Sequence, residues 1–386
     1  MSEPTHADWS YPTRVRFGPG RLAELPQACR EAGIGQPLVV TDPGLADLPP
    51  VAEAQDHLAA ADLPAGLFSE VRGNPTGATL EAALAAYRAG RHDSVVAIGG
   101  GSALDCGKAV ALMAGQRRPA WDFVWGRPTP PDAAEPAPVI AVPTTAGTGS
   151  EFSASAVIVD ESAGRKRSLY HPGMLARRAI LDPSLTVSLP RDLTVWTGLD
   201  ALTHSLEAYL APGYHPMADG IAVAALARIR NALPRVAEHP DDLVARGDML
   251  AASAMGAAAF DKGLGGVHAL SHAVSAMTDS HHGLTNAVLL PHVLAYNRPA
   301  CEARLASLAA GLGLTDADAV LGWIADLLRA FNIPRSLSAL GVTRADIPSI
   351  AAAAAEDANA TGNPRRLTTE AAAGILQAAI SASHIG

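Results

Sequence analysis

Two short segments in the second half of the chain combine carboxylate and imidazole side chains at a spacing of four residues. Asp200 and His204 form the first pair, and His268 and His272 form the second. Because residues four apart share one face of an α-helix, each pair is predicted to point its side chains the same way. Three imidazoles and one carboxylate, brought together by helix packing, would make a site for divalent iron or zinc with positions left for a substrate oxygen.

A third histidine segment, His281-His282-Gly283, follows the second pair. Adjacent residues point in different directions on a helix or turn, so we expect at most one of the two histidines to join a given site. A single histidine in an alanine-rich helix is usually a packed or solvated residue. The clustering of several histidines is therefore what indicates a metal site.

Two loops in the first half of the chain have the composition of nucleotide-binding loops. Each follows a predicted strand, and the first also precedes a predicted helix, whose N-terminus would offer free N–H groups to a phosphate. Loops at the carboxyl ends of parallel strands face one crevice, where ligands bind. The alternatives are a tight strand-to-helix turn for the first loop and a solvated Ser/Thr turn for the second. The candidate residues are Gly99, Gly100, Gly101 and Ser102 in the first loop, and Thr144, Thr145 and Thr148 in the second.

Asp42 ends the earlier apolar segment 37–41. A carboxylate at that position can accept a hydrogen bond from the adenosine ribose and repel a 2′-phosphate, which favours NAD over NADP. The alternative interpretation is an ordinary Asp-Pro turn.

The elements that must position these residues differ between the two halves of the chain. Apolar, β-branched segments that end in turn residues alternate with helical segments such as 78–90, which predicts a parallel, Rossmann-like sheet with helices on both faces. Beyond 183–190 only helical patterns follow. We predict an α/β dinucleotide-binding domain over 1–185 and an all-α metal-binding and substrate domain over 186–386. The predicted strands are 37–42, 66–71, 94–100, 139–145 and 154–160.

Composition limits the class of protein. The 386 residues are 48% hydrophobic and 17% charged, as in ordinary globular proteins, and this length predicts two domains. The net charge of −9 argues against nucleic-acid binding. No apolar segment is long enough to span a membrane, and the first residues do not form a signal peptide. Three widely spaced cysteines, Cys29, Cys106 and Cys301, fit a cytoplasmic protein.

Taken together, the motifs resemble those of the iron-dependent (group III) alcohol dehydrogenases. The similarity covers nearly the whole chain, in order and spacing. It is carried by FGPG (17–20), GGGSALDCGK (99–108), PTTAGTGSE (143–151), GLDALTHSLEAY (198–209) and GVHALSHAVSAMTDSHHGLTNAVLLPH (266–292). The resemblance implies an N-terminal dinucleotide-binding domain, a helical C-terminal domain and interconversion of alcohols and aldehydes. It also implies a small-molecule substrate and a homodimer or higher homo-oligomer.

The resemblance also assigns roles to individual residues. Asp200, His204, His268 and His282 match the metal ligands, and His272 matches a histidine near the reacting oxygen that is not itself a ligand. Gly100, Gly101, Ser102 and Asp105 match the loop that contacts the cofactor pyrophosphate. Thr144, Thr145 and Thr148 match the second cofactor loop, and Lys166 matches a lysine near the cofactor ribose. Asp42 matches the acidic position of members that prefer NAD.

The predicted reaction is hydride transfer between a nicotinamide nucleotide and an alcohol whose oxygen lies on the metal. The predicted nucleotide is NAD(H) in preference to NADP(H). The predicted metal is Fe²⁺, with Zn²⁺ or another divalent ion as the alternative. A bound metal lowers the pKa of a coordinated hydroxyl, and this effect is larger than the contribution of a histidine base acting alone. His272 is therefore predicted to relay a proton. Two departures from the pattern of the family leave the identity of the substrate open. Segment 260–265 is one residue shorter than the commoner pattern, and Trp196 stands where a small residue is expected. The alternatives are an NAD-using lyase or cyclase of related fold and a metal-dependent hydrolase. Lys262 would suit an anionic substrate, unless it is simply solvated.

Overall fold

A six-stranded parallel sheet forms the centre of the N-terminal half in this computed structural model, which describes residues 13–381. Its strand order is β1-β8-β5-β4-β2-β3, and every neighbouring pair is parallel. Short apolar segments with little polar interruption make strands of this kind because both of their faces are covered. The strands in chain order are β1 (Arg14–Phe17), β2 (Pro37–Val40), β3 (Gly66–Phe68), β4 (Ser94–Gly99), β5 (Val139–Pro143), β6 (Ser155–Asp160), β7 (Arg165–Tyr170) and β8 (Arg178–Leu181).

Two hydrophobic cores lie on opposite faces of this sheet, because successive strand residues point to opposite sides. Val95 and Ala97 belong to one core, while Val96 and Ile98 belong to the other. Each buried valine or isoleucine contributes roughly 1.5–3 kcal/mol relative to an exposed one. The helices that contribute residues to these cores are α1 (Leu25–Glu31), α2 (Pro49–Ala60), α3 (Gly77–Ala89) and α4 (Gly101–Met113).

Strand β6 corrects one prediction. Segment 154–160 was predicted to be a strand of the buried parallel sheet, but β6 pairs antiparallel with β7 in a separate two-stranded sheet. Its burial alternates between half-buried and buried residues, as expected for a strand with only one covered face. An apolar segment indicates a strand, but it does not identify the partner with which that strand will pair.

Strands β1, β7 and β8 were not predicted. β1 reads RVRF and β7 reads RKRSLY, so their arginines and lysine hide the apolar pattern that marks a strand. β8 has only four residues, RAIL. β1 and β8 are held by pairing between segments distant in the sequence, as between Val15 and Ala179, whereas β7 pairs with β6, which directly precedes it.

The C-terminal half consists of helices, which confirms the predicted fold class. They are α5 (Arg191–Leu210), α6 (Pro216–Glu238), α7 (Leu243–Ala259), α8 (Gly266–Thr278), α9 (His282–Gly311), α10 (Ala317–Ala330), α11 (Ile347–Ala355) and α12 (Thr369–Ser381). No helix among residues 13–381 is both long enough and apolar enough to cross a membrane.

Contacts between Cα atoms divide the described chain into two compact units. One contains residues 13–190 and 238–254, and the other contains 191–237 and 255–381. Helix α7 is therefore shared between them. The assignment of 1–185 and 186–386 as separate domains stays a prediction.

Candidate functional site

Asp200 is the centre of a buried cluster of histidines in the helical unit. Its Oδ1 lies 3.8 Å from Nε2 of His268 and 3.6 Å from Nε2 of His282, and its Oδ2 lies 3.9 Å from Nδ1 of His204. Asp200, His204 and His268 form a group whose ligand atoms all lie within 4.8 Å of one another. Ligand atoms on a tetrahedral ion with bonds of ~2.1 Å are about 3.4 Å apart. The carboxylate and two imidazoles of this group fit a divalent transition metal, and His282 approaches the same carboxylate from outside the group.

Three helices bring these side chains together. Asp200 and His204 lie one turn apart on α5, His268 lies in the first turn of α8, and His282 is the first residue of α9. The start of α9 can approach α5 only because residue 283 is glycine. A Cβ there would lie 2.2 Å from the carbonyl oxygen of Trp196 and 3.1 Å from Cβ of Asp200. The segment His282-Gly283 thus combines a candidate ligand with the small residue that lets it reach the cluster.

Asp200, His268 and His282 are each oriented by a further side chain. Glu207 accepts a hydrogen bond at 2.7 Å from Nδ1 of His268, and the Ser271 hydroxyl lies 3.1 Å from Nδ1 of His282. Asn286 donates from Nδ2 to Oδ1 of Asp200 at 2.7 Å. Partners of this kind fix the tautomer and direction of histidine ligands in metal sites.

Glu207 and Asn286 were not predicted from the sequence, although a signal for both was present. Glu207 follows His204 by three residues on α5, and Asn286 follows His282 by four on α9. Each therefore lies on the same helix face as a candidate ligand.

The surroundings of His268 favour its protonated form in the metal-free protein. Burial alone would lower the pKa of His268, but the hydrogen bond and charge of Glu207, with the charges of Asp200 and Asp357, raise the pKa above its ordinary value. A metal ion and a proton would therefore compete for His268, and metal affinity should fall as the pH is lowered.

His272 lies beside the cluster and is held by a carboxylate of its own. Its ring centroid is 5.4 Å from that of His282, and its Nδ1 lies 2.9 Å from Oδ2 of Asp357. Burial would raise the pKa of Asp357, but the charge and hydrogen bond of His272 and the amide of Asn359 hold it below its ordinary value. Asp357 therefore remains ionised and fixes the ring of His272.

The structure gives the contacts of Trp196 and Lys262, two residues whose relation to the substrate the sequence did not settle. The ring of Trp196 lies 5.1 Å from that of His281, which directly precedes α9. Lys262 is not solvated: its side chain is 2% exposed and its Nζ donates to Oδ1 of Asp219 at 2.6 Å. Lys262 is thus committed to an internal ion pair rather than held ready for an anionic substrate.

In the other unit, the two predicted loops lie next to each other at the carboxyl ends of β4 and β5. The amide of Thr144 donates to the carbonyl oxygen of Gly99 at 3.0 Å. A Cβ on Gly101 would lie 2.5 Å from Cγ2 of Thr148, so only glycine permits this close approach. Gly101 also begins α4, with Gly100 as its N-cap and Ser102 as its second residue, while Thr145 lies against Gly100. The free N–H groups of this helix start make an anion-binding position.

Asp42 follows β2, the strand next to β4. Its surroundings are compatible both with an Asp turn and with a carboxylate beside the cofactor ribose. Its Oδ1 accepts from the amide of Leu45 at 3.1 Å, as in an Asp turn. Its Oδ2 lies 3.3 Å from the position of a Cβ at Gly99, beside the glycine loop. The chain reverses its strand order between β2 and β4, and such a switch point is where nucleotides bind in open α/β sheets.

Asp105 has mainly structural surroundings. Asp105 accepts from Oγ of Ser150 at 2.5 Å and from the amide of Val157 at 2.9 Å, and it lies 3.3 Å from Nζ of Lys108. Its carboxylate therefore links α4 to the second loop by hydrogen bonds. Lys166 lies on β7, opposite Val159 of β6. A cofactor contact for either residue stays a prediction.

Comparison with known proteins gives the same family over both units. Residues 12–183 match the model of the iron-containing alcohol dehydrogenases, and residues 194–380 match the C-terminal model of the Fe-containing alcohol dehydrogenase family. A 4-hydroxybutyrate dehydrogenase of Cupriavidus necator is 37% identical over 367 residues, which cover 92% of this chain and 95% of that protein.

Two solved structures share the fold over nearly their full length. A 1,3-propanediol oxidoreductase is 33% identical with a TM-score of 0.90, covering 97% of this chain and 99% of its own. A sulfoacetaldehyde reductase from Bifidobacterium kashiwanohense, solved in complex with NAD⁺, is 28% identical with a TM-score of 0.88 and covers 98% of this chain and 100% of its own.

Proposed function

The chain belongs to the iron-containing alcohol dehydrogenase family and is a metal-dependent alcohol oxidoreductase, and on that premise we propose that it interconverts an alcohol and its aldehyde or ketone with NAD(H). The observation that carries this proposal is the convergence of imidazole nitrogens of His204, His268 and His282 on the buried carboxylate of Asp200.

We assign Asp200, His204, His268 and His282 as the ligands of a divalent metal, with Fe²⁺ first and Zn²⁺ or another divalent ion as alternatives. When bound, the metal would act as a Lewis acid toward the substrate oxygen, and NAD(H) would exchange the hydride. The acidic partner of His268 and the hydroxyl partner of His282 support this assignment, because both leave the Nε2 atoms directed at Asp200.

We propose that His272 moves the proton of the substrate hydroxyl. Asp357 holds Nδ1 of His272, so that Nε2 is left to accept a proton during oxidation and to return it during reduction. General acid–base assistance of this kind typically contributes about 10²- to 10⁴-fold to a rate.

We propose that the nucleotide binds along the glycine and threonine loops. Gly99, Gly100, Gly101 and Ser102 would hold the pyrophosphate at the start of α4, and Thr144, Thr145 and Thr148 would bind phosphate or ribose hydroxyls. The proximity of the two loops supports this assignment.

The substrate is inferred only as a class. The similar proteins named above act on 4-hydroxybutyrate, 1,3-propanediol and sulfoacetaldehyde, each of which carries a second polar group. We infer that short alcohols with a second polar group are the substrates to test first. Since Lys262 is paired with Asp219, it does not by itself favour an anionic member of this class.

The reaction is tested by reconstituting the protein anaerobically with Fe²⁺ or Zn²⁺ and measuring NADH absorbance with a panel of short alcohols. Net formation of NADH is expected, and Asp200→Ala should lose both the metal and the activity while still binding NAD⁺. Substrate turnover without net NADH would favour a lyase or cyclase. Absence of nucleotide binding, together with hydrolysis, would favour a hydrolase.

The choice of nucleotide is tested at Asp42. The wild type should use NADH more efficiently than NADPH, and Asp42→Gly should narrow or reverse the preference by removing repulsion of the 2′-phosphate. The measurement is kcat/KM with each nucleotide. Equal use of NADH and NADPH by the wild type would show that Asp42 is only a turn residue.

A homodimer or higher homo-oligomer and a cytoplasmic location stay predictions. Sedimentation of the purified protein would check the first, and fractionation of the source cells would check the second.

A further inference from the structure

Glu207 is a buried carboxylate that makes four hydrogen bonds at the start of α8. Its side chain is 7% exposed. Oε1 accepts from the amide of Val267 at 2.7 Å, and Oε2 accepts from the amides of Gly265 at 3.0 Å and His268 at 3.3 Å. Oε2 also accepts from Nδ1 of His268 at 2.7 Å. One side chain of α5 therefore holds both the first turn of α8 and the imidazole that this turn carries.

The contact with the imidazole determines what His268 can do. A carboxylate accepts hydrogen bonds and donates none, so Nδ1 of His268 must carry a hydrogen. In the neutral ring the other nitrogen, Nε2, then carries the lone pair, and it lies 3.8 Å from Oδ1 of Asp200 and 3.4 Å from Nδ2 of Asn286. A carboxylate behind the ring also makes the imidazole a stronger electron donor.

A second acceptor at the same helix start separates the two roles of Glu207. Asn363 accepts from the amide of Gly266 at 2.9 Å, so it caps α8 as Glu207 does. The Asn363 amide also exchanges hydrogen bonds with the amide of Asn297 and donates to the carbonyl oxygen of Arg365. Asn363 thus shares the capping of α8 but not the contact with the ring of His268.

We propose that Glu207 is a positioning residue of the metal centre, which holds His268 in the Nδ1–H tautomer and aims its Nε2 at the metal position. This inference rests on the proposed function, since it takes His268 as a ligand. Glu207 itself contacts neither substrate nor cofactor. Its effect is on how tightly and with what ligand field the metal is held.

The test is Glu207→Gln, measured by chelator competition for the metal and by the visible absorption of the cobalt-substituted protein. A glutamine keeps the size of the side chain, but its amide cannot accept from all four N–H groups. The metal dissociation constant is expected to rise about 10- to 100-fold, with a changed cobalt spectrum. NAD⁺ affinity should stay unchanged, since the nucleotide loops belong to the other unit.

Asn363→Ser is the matched control, because it removes a cap of α8 without touching the imidazole. It is expected to lower thermal stability and to leave the metal dissociation constant and cobalt spectrum nearly unchanged. An equal loss of metal affinity in both variants would reduce Glu207 to a helix cap and overturn the proposal. In a His268→Ala background, Glu207→Gln should cause no further loss of metal affinity, and an undiminished loss there would also overturn it.

If Glu207→Gln does not fold, Glu207→Asp keeps the charge but shortens the reach to Nδ1, and it should also weaken metal binding. Wild-type affinity and spectrum in whichever variant folds would overturn the proposal. A wild-type protein that bound no metal would instead refute the proposed function, so the two failures are distinguishable.

Discussion

At the scale of single residues, the pair formed by His272 and Asp357 separates catalysis from metal binding. His272 lies one turn beyond His268 on α8, but its Nδ1 is committed to Asp357 rather than to the cluster around Asp200. A residue in this position can act on a proton without being needed to hold the ion. The pair therefore predicts different consequences for kcat and for metal content.

His272→Ala is expected to lower kcat by about 10²- to 10⁴-fold while metal content stays at the wild-type level. The pH profile of kcat should also change, because the proposed proton relay is lost. Asp357→Asn should reproduce part of the loss, since the amide can no longer fix the ring by charge. The measurements are elemental analysis and kcat across pH. Wild-type kcat with an unchanged profile would make His272 a packing residue, and loss of the metal would make it a ligand.

Glu151, just after the threonine loop, gives a prediction for pH. It is 1% exposed, and burial raises its pKa from 4.5 to about 7 against the opposing charge of Lys108. The unfolded chain therefore loses this proton near pH 4.5, while the native protein keeps it until about pH 7. The contribution of Glu151 to the free energy of unfolding is complete below pH 4.5, its pKa in the unfolded chain. It declines by roughly 3 kcal/mol in total as the pH rises from there to about 7.

Urea unfolding at about pH 5 and about pH 8 checks this effect, with Glu151→Gln as the comparison. The wild type should lose more free energy of unfolding between the two pH values than the variant, because glutamine does not titrate. Parallel pH dependence in the two proteins would show that Glu151 is ionised at neutrality.

At the scale of elements, the approach of α9 to α5 determines whether His282 reaches Asp200. Gly283→Ala would place a methyl group against the carbonyl of Trp196 and push the start of α9 outward. We expect a loss of about 1–3 kcal/mol in stability, typical of overpacking, together with weaker metal binding. Calorimetry and chelator competition measure the two effects.

Gly322 on α10 is the matched control, because nothing lies within 4 Å of the position of its Cβ. Gly322→Ala should stabilise the protein by about 0.5–1 kcal/mol, since alanine favours a helix interior. Metal affinity should not change. If Gly283→Ala behaved like Gly322→Ala, the start of α9 would have room to spare and the packing argument would be wrong.

At the scale of the whole molecule, the candidate metal ligands and the nucleotide loops belong to different compact units. A ligand that binds only the native state stabilises it by RT ln(1 + [L]/Kd), about 2.7 kcal/mol at 100 times Kd. Removal of the metal by a chelator should therefore lower the unfolding temperature of the helical unit. Addition of NAD⁺ should raise that of the α/β unit.

Differential scanning calorimetry with and without metal and NAD⁺ checks this prediction. Asp200→Ala serves as the control, since its thermogram should respond to NAD⁺ but not to metal or chelator. A chelator effect of the same size in Asp200→Ala would mean that the metal binds somewhere other than the cluster.

Much of the α/β unit follows from local pattern. The β-branched segments at β2, β4 and β5 are each apolar on both faces, which is sufficient to predict buried parallel strands. The loops that follow β4 and β5 were recognisable from glycine and threonine, because backbone freedom and hydroxyl groups are properties of the residues themselves. The spacing of Asp200 from His204, and of His268 from His272, likewise determines a shared helix face.

Only the tertiary structure decided which of these residues meet. β6 was identified as a strand, but its antiparallel pairing with β7 depends on the turn between them and on the face that is covered. The contacts Glu207–His268, His272–Asp357 and Asp200–Asn286 join residues 61, 85 and 86 positions apart. Helical periodicity is a short-range property that fades within a few turns. Contacts across such separations depend on how helices pack, and that is determined by the shape of the whole core, including the missing side chain of Gly283.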